Sequence, residues 1–215
     1  MITVSQAVLD ILEKSPFLAD VLAEGVGNSA KIARKIQKQV EERLYEEVSL
    51  ASVSMAIHRL SPRFKKSSYG SRFLKQLGDI TVRSHLVEFI FSSTPRTPEL
   101  HKKVLEAARS DRDFLNISHG HHASVVVVSK ERASDIAKIL KKEPGFRTMS
   151  DLASITMRLP VASLDVPGVY YPILKALAWE GINFVEIISV DTELTILFEE
   201  KDVEPAFSVL KRLTS

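Results

Sequence analysis

Three features of the sequence predict an α+β chain: a helical first part followed by two small α/β units. Through Leu60 the apolar residues recur at helical spacing. From Ile80 onward strand-like and helix-like stretches follow in the order β-α-β-β-α, and after Pro144-Gly145 that order begins again. Between the two parts, Arg59, Arg63, Lys65, Lys66, Arg72, Lys75 and Arg83 face a single acid, Asp79. Ser61-Pro62, Ser67-Ser68 and Gly70-Ser71 break this stretch, so it reads as a basic linker. The expected divisions are residues 1–70, a linker at 71–78, and two α/β units at 79–148 and 149–215.

In the first part, Thr3 and Gln6 form a capping box ahead of Val4, Ala7, Val8, Ile11 and Leu12. Ser15-Pro16 ends that helix and starts another, with Phe17, Leu18, Val21 and Leu22 as its buried stripe. After the break Gly25-Val26-Gly27-Asn28, residues Ile32, Ala33, Ile36, Val40 and Leu44 define a long amphipathic helix from Ser29 to Tyr45. A last helix, Ser49 to Leu60, buries Leu50, Val53, Ile57 and Leu60, and Pro62 is expected to end it. Gly25 through Ala30 spells G-x-G-x-x-A, but a dinucleotide loop needs a preceding strand, and Phe17 to Glu24 has helical spacing.

In the second part, Ile80 to Ser92 is a strand and Glu99 to Ser110 a helix with Leu100, Val104, Leu105 and Ala108 inward. Phe114 to Ser118 and Ala123 to Ser129 are strands around a His-Gly turn, and Ala133 to Lys141 is a helix. The second copy has a strand at Ile155, Met157 and Leu159 and a helix opened by Pro167-Gly168 and closed by Gly181. Tyr170, Ile173, Leu174, Leu177 and Ala178 form that helix's stripe. Strands follow at Asn183 to Ser189 and Glu193 to Glu199, then a helix capped by Asp202. Two β-α-β-β-α units in succession argue for paired ferredoxin-like domains. A complete unit ends in a fourth strand, yet only Thr214 and Ser215 follow Leu213. That strand either comes from elsewhere, with Phe146 to Met149 as the candidate, or is lost.

Composition excludes several classes. With 215 residues, 45% hydrophobic and 26% charged, the chain has material for real cores and is not disordered. It lacks cysteine, which removes disulfides, thiolate metal sites and a catalytic thiol. No apolar run approaches the roughly 20 residues of a membrane span, and Asp10 and Glu13 interrupt the first residues in a way unlike a secretory signal. A cytoplasmic protein with no membrane contact is expected. The net charge of +2 is uneven, with twelve Lys and Arg against eight acids up to Lys75 and seventeen against nineteen thereafter.

Lys31/Lys35 and Arg34/Lys38 are like-charge pairs four apart at the start of the long helix, where cations oppose the dipole. Either an anion is expected there or this is a solvated face. The last helix presents Ser52, Ser54, Met55, His58 and Arg59 away from its core. With IARKI early and VSMAIHRL late, Ala30 through Leu60 resembles the helix-turn-helix and winged-helix classes, which implies DNA as a partner. Lys31, Arg34, Lys35, Ser52, His58, Arg59, Arg63, Lys65 and Lys66 are the candidate contacts.

Residues 151 to 213 resemble an ACT domain, particularly the regulatory region of aspartate kinases. Asp151-Leu152-Ala153-Ser154-Ile155, VPGV at 166–169, ILKALAWEGIN at 173–183, IIS at 187–189 and ELTILFEEKD at 193–202 carry the resemblance. Residues 80 to 142 resemble a degenerate second copy, and no aspartate kinase catalytic domain accompanies them. The resemblance implies side-by-side pairing into a homo-oligomer and binding of a small effector, of the amino-acid class. Backbone N–H groups after Pro167-Gly168 suit a carboxylate, and Asp165 suits an ammonium. The implied effector residues are Asp165, Val166, Gly168, Val169 and Asn183, with Glu186, Ile187 and Ile188 lining the site. Pro167-Gly168 and Gly181 read equally well as a plain helix start and stop. Tyr170, Tyr171 and Trp179 either fill the pocket or the core or face a partner, core filling being the commoner role.

His119-Gly120-His121-His122 places imidazoles near a hairpin and reads as a polar turn rather than a metal site. Asp111, Arg112 and Asp113 read as a loop. No nucleophile–base–acid set emerges, so no enzyme activity, cofactor or metal is expected. An effector-controlled DNA-binding regulator is the leading reading, with a subunit docking on an amino-acid biosynthetic enzyme as the alternative.

Overall fold

The structure, a computed structural model, describes residues 2–65, 76–108 and 113–214. Lys66, Asp111, Arg112 and most of the expected linker at 71–78 lie outside them. The chain divides into two compact units, Met1–Lys75 with Val166–Pro172, and Gln76–Asp165 with Ile173–Ser215.

The first unit is built from α1 (Val4–Glu13), α2 (Pro16–Ala23), α3 (Ser29–Leu44) and α4 (Leu50–Lys65). Thr3 caps α1 by accepting the Gln6 N–H at 3.2 Å, while the Gln6 side chain donates to Asp10. Asn28 caps α3 by accepting from both Ala30 and Lys31. Tyr45 ends α3 in the left-handed region, φ 56°. The turn into α4 is tied back to α3, since Gln37 Nε2 donates to the Val48 carbonyl at 2.8 Å and the Val48 N–H to Glu41. Ala7, Val8, Leu12, Ile36, Val40, Val53 and Ile57 form the dry centre.

Two expectations fail in this unit. Phe17 is 69% exposed, and Leu18, Ala19 and Leu22 make the buried side of α2. Pro62 does not end α4, which runs through it to Lys65. A proline there removes the hydrogen bond to His58, but Phe64 is buried in the bundle core and holds the last turn in place.

The second unit is one six-stranded antiparallel sheet in the order β2-β3-β1-β4-β6-β5. Its strands are β1 (Ile80–Ser92), β2 (Leu115–His119), β3 (Ala123–Ser129), β4 (Arg147–Arg158), β5 (Glu186–Val190) and β6 (Glu193–Glu199). The helices are α5 (Thr97–Ala107), α6 (Lys130–Leu140), α7 (Tyr171–Trp179) and α8 (Glu200–Thr214), with a 3-10 turn at Val161–Ser163 that periodicity does not reveal.

The two central strands, of 13 and 12 residues, each serve both halves of the sheet. Leu86–Ser92 of β1 pairs with β3, while Leu152–Arg158 of β4 pairs with β6. Arg147–Met149 lies beside Ile90–Glu88 and fills the fourth position of the first half. Ile80–Arg83 lies beside Met157–Ser154 and fills that of the second. The missing last strand is therefore neither lost nor taken from Phe146–Met149; the start of β1 supplies it. Both strands bend where they change roles, at His85 (φ 59°) and Asp151 (φ 56°), as bulges require.

Val87, Phe89, Phe91, Val126 and Val128 face α5 and α6 through Leu100, Val104, Ile136 and Leu140. Leu105 is 53% exposed instead of inward, because Leu100 and Val104 already fill that side of α5. α8 packs on β4 and β6 and begins at Glu200, so Asp202 lies in its first turn rather than at its cap. On the opposite side of the sheet, Leu86, Val127, Leu152, Ile188 and Leu197 form a buried cluster to which no described helix contributes. An open flat sheet would leave these side chains in water. Phe114 and Val185, just before the two edge strands, pack against the same cluster, so the sheet curls over this face.

Candidate functional site

The expected effector residues are divided between the two units. Val166, Gly168 and Val169 belong to the segment grouped with the helices; Asp165, Asn183, Glu186, Ile187 and Ile188 belong to the sheet unit. Pro167–Tyr170 is a turn, closed by the Tyr171 N–H donating to the Gly168 carbonyl at 2.9 Å. α7 thus begins at Tyr171, three residues later than Pro167-Gly168 suggested, and its first N–H is used on Gly168. Gly168 has φ +76°, a conformation that a side chain would disfavour. Asp165 and Asn183 are exposed, and Asn183 lies in the loop before β5 rather than in the strand.

Strand alternation corrects the lining set. Glu186 and Ile188 point to the face of the curled cluster, and Ile187 points to the other side, so the three cannot line one wall. Trp179 is 79% exposed and does not fill a core. It receives the Lys175 ammonium 5.2 Å from its ring. Gly181 does close α7, with φ +70° and its N–H bonded to Ala178.

The bulges create a charged feature that sequence reasoning missed. Lys130 opens α6 and meets Asp151 at 3.4 Å; Glu200 opens α8 and meets His85 at 3.8 Å. The two contacts occupy equivalent places in the two halves, with the carboxylate on the strand in one and on the helix in the other. A groove of about 360 Å³ lies beside them, lined by Met149, Ser150, Asp151, Glu199, Glu200 and Lys201. The Ser150 hydroxyl and then Lys130 hold the Asp151 carboxyl below its ordinary range. Glu199, 2.6 Å from the Lys201 ammonium, raises the latter. Left-handed backbone at a histidine and an aspartate leaves no periodic mark in the sequence.

On the helical unit, Lys31, Arg34, Lys35 and Lys38 are exposed on one side of α3, opposite Ile32, Ile36 and Val40. Asn28 already serves two N–H groups at that helix end, so part of the expected demand for an acceptor is met from within. Ser52 and His58 are exposed on α4. Arg59 and Arg63 turn to α1 instead, donating to Ser5 at 3.3 Å and to Glu13 at 3.2 Å. Among the described candidates, Arg59 and Arg63 are thus engaged within the helical unit, while Lys31, Arg34, Lys35, Ser52 and His58 are exposed. Lys65 is in α4, and its side chain is not described.

The histidine corner is occupied by its own bonds. His101 Nε2 is 2.6 Å from the buried Ser124 hydroxyl, which donates to the Ser118 carbonyl, so His101 is the donor to Ser124. Burial, then neighbouring His119, pushes the His101 pKa down. Ser124 has spent its proton and has no solvent access, so this pair is not a nucleophile and base. The Gly120 N–H closes the turn onto Ala123. Asp113 meets Arg132 Nε at 2.6 Å. Among the described residues no group of three or more His, Asp or Glu is placed to hold a metal ion, and no helix is long and apolar enough to cross a membrane.

No protein-family model matches the chain, and no curated protein matches it by sequence. Solved structures do match. The aspartate kinase of Clostridium acetobutylicum superposes with a TM-score of 0.54 at 14% identity, over 63% of this chain and 34% of that one. A domain assigned as the C-terminal regulatory domain of aspartate kinase from Porphyromonas gingivalis gives 0.50 at 13%, over 63% of this chain and 96% of that one. The ligand-free regulatory subunit of aspartate kinase from Thermus thermophilus gives 0.51 at 14%, over 65% and 99%. The chain spans about a third of the Clostridium enzyme and nearly all of the two isolated regulatory pieces. The likeness is one of fold, that of aspartate kinase regulatory regions.

Proposed function

We propose that this chain is a non-catalytic regulatory protein of the cytoplasm whose paired α/β halves bind a small effector, of the amino-acid class. The observation that carries the reading is the shared six-stranded sheet, in which β1 and β4 each run through both halves. That arrangement supports transmission of a local change, because a shift in either long strand is felt in both halves. Asp165, Val166, Gly168, Val169 and Asn183 remain the proposed effector residues, with Glu186 and Ile188 on the neighbouring strand. Residues 1–70 form the output domain, and 79–148 and 149–215 the sensing units. The edge strands β2 and β5 are where a second copy would pair to form a homo-oligomer.

The output is DNA binding in the leading version, supported by the exposed Lys31, Arg34, Lys35 and Lys38. The engagement of Arg59 and Arg63 with α1 favours the second version, in which the helical unit docks on a biosynthetic enzyme. A thermal-shift screen of the common amino acids at millimolar concentration tests the effector. Ligand at a hundred times its Kd adds about 2.7 kcal/mol, a rise of roughly 5–10 °C; no rise with any of them removes the sensor reading. Duplex DNA binding that weakens steeply with salt supports phosphate contacts, and no binding at low salt leaves only the docking version.

A further inference from the structure

Glu88 is a carboxylic acid in the wrong place. It sits in the middle of β1, 1% exposed, on the same face as the buried Leu86, with Val127 of β3 and Met149 of β4 opposite. Its Oε1 is buried and has no hydrogen-bond partner. Its neighbour is unexpected: Glu88 stands beside Leu86 and Val127, and Glu186 of edge strand β5 beside Ile188 and Leu197, residues of one buried cluster, which brings the two carboxyl groups together. β1 and β5 are three strand positions apart, about 14 Å in a flat sheet. The contact therefore exists only because the sheet curls, and it spans the mouth of the curled face.

We propose that Glu88 and Glu186 form a proton-holding clasp, one carboxylic acid donating to one carboxylate, that ties edge strand β5 to central strand β1. Two ionised carboxylates cannot hydrogen-bond to each other; one must keep its proton. Glu88 is the one that keeps it. An ionised Glu88 would bury a charge with one oxygen unsatisfied, whereas a neutral one donates to Glu186 and leaves only a carbonyl-type oxygen unpaired. Among the described residues, two charged groups act on it. β5 contributes Glu186 and β4 contributes Arg147, while β3 and β6 present Val125, Val127 and Leu197. Burial, then the Glu186 hydrogen bond and charge, push the Glu88 carboxyl up to about 7, with Arg147 opposing.

The direction of the pH effect follows. The folded chain holds this proton up to about pH 7, while the unfolded chain releases it near the ordinary 4.5. The stability from this group is therefore complete below 4.5 and lost as pH rises through about 7. Above that, two carboxylates oppose each other and β5 is released from β1.

The test is urea unfolding of the full chain from pH 5 to 8.5, for the natural sequence and for Glu88→Gln. The amide keeps a donor for Glu186 and cannot titrate. The natural chain should lose up to about tenfold in folding constant per pH unit between pH 5 and 7 relative to Glu88→Gln. Hydrogen exchange at β5 should accelerate over the same range in the natural chain alone. Parallel stability curves for the two proteins overturn the clasp. Should Glu88→Gln fail to fold, the Glu88 carboxyl carbon is followed by NMR in the natural chain. A midpoint near 7 that drops in Glu186→Gln supports the proposal, and one near 4.5 overturns it.

Discussion

Replacing Leu152 with alanine tests the curled face directly. Leu152 is fully buried, opposite Leu86 on β1 and Glu199 on β6, with Leu86 and Leu197 also fully buried. No described helix covers this face, so Leu152 is dry only if the sheet closes over itself. Leu→Ala substitutions in cores cost about 2–5 kcal/mol, more where the site cannot collapse. Here β4 is hydrogen-bonded on both sides, so its backbone cannot move into the space, and we expect ~3–4 kcal/mol. For a chain of this size that lowers the melting temperature by roughly 6–15 °C. Val82→Ala, at a 43% exposed position on β1, is the control and should cost less than about 1 kcal/mol. Urea unfolding read by circular dichroism measures both. Equal, small losses would show that the face is open and that the curl is wrong. Leu86→Ala combined with Leu152→Ala should cost less than the sum of the two, because the cavities merge.

Three further outcomes are expected. Asn28→Ala removes the acceptor for two N–H groups of α3 and should destabilise the helical unit by ~1 kcal/mol, measured by thermal unfolding of the full chain; no change would show that water replaces the cap. Gly181→Ala, at φ +70° with nothing within 4 Å, should cost only the backbone penalty of about 1–2 kcal/mol. Gly145→Ala has the same φ but would bring its Cβ to 2.6 Å from Ser92 Oγ, so it should cost measurably more; equal costs would mean that Ser92 turns aside freely.

The order of elements was legible because hydrophobic spacing is a local property. Ile32, Ile36 and Val40 announce α3 wherever it packs, and the recurrence of β-α-β-β-α after Pro144-Gly145 foretells the doubled sheet. The failures lie where a partner decides. Phe17, Leu105 and Trp179 are large and apolar, yet each stands on the outer side of its helix. Pro62 is a helix breaker by its own chemistry, overruled by the burial of Phe64 two residues later. Around the candidate site, Gly168 and Gly181 take positive φ, whereas Glu186 to Ile188 alternate across the sheet and cannot form one wall.

By itself the sequence determined the helical first part, the doubled α/β pattern and the absence of cysteine chemistry, all of which depend on residues close together in the chain. Only the tertiary structure decided which strand completes which half, that His85 and Asp151 bend the two central strands, and that Glu88 meets Glu186. Strand pairing and sheet curl are set by contacts between residues tens of positions apart. A buried glutamate in an alternating strand looks, in sequence, the same as one facing water.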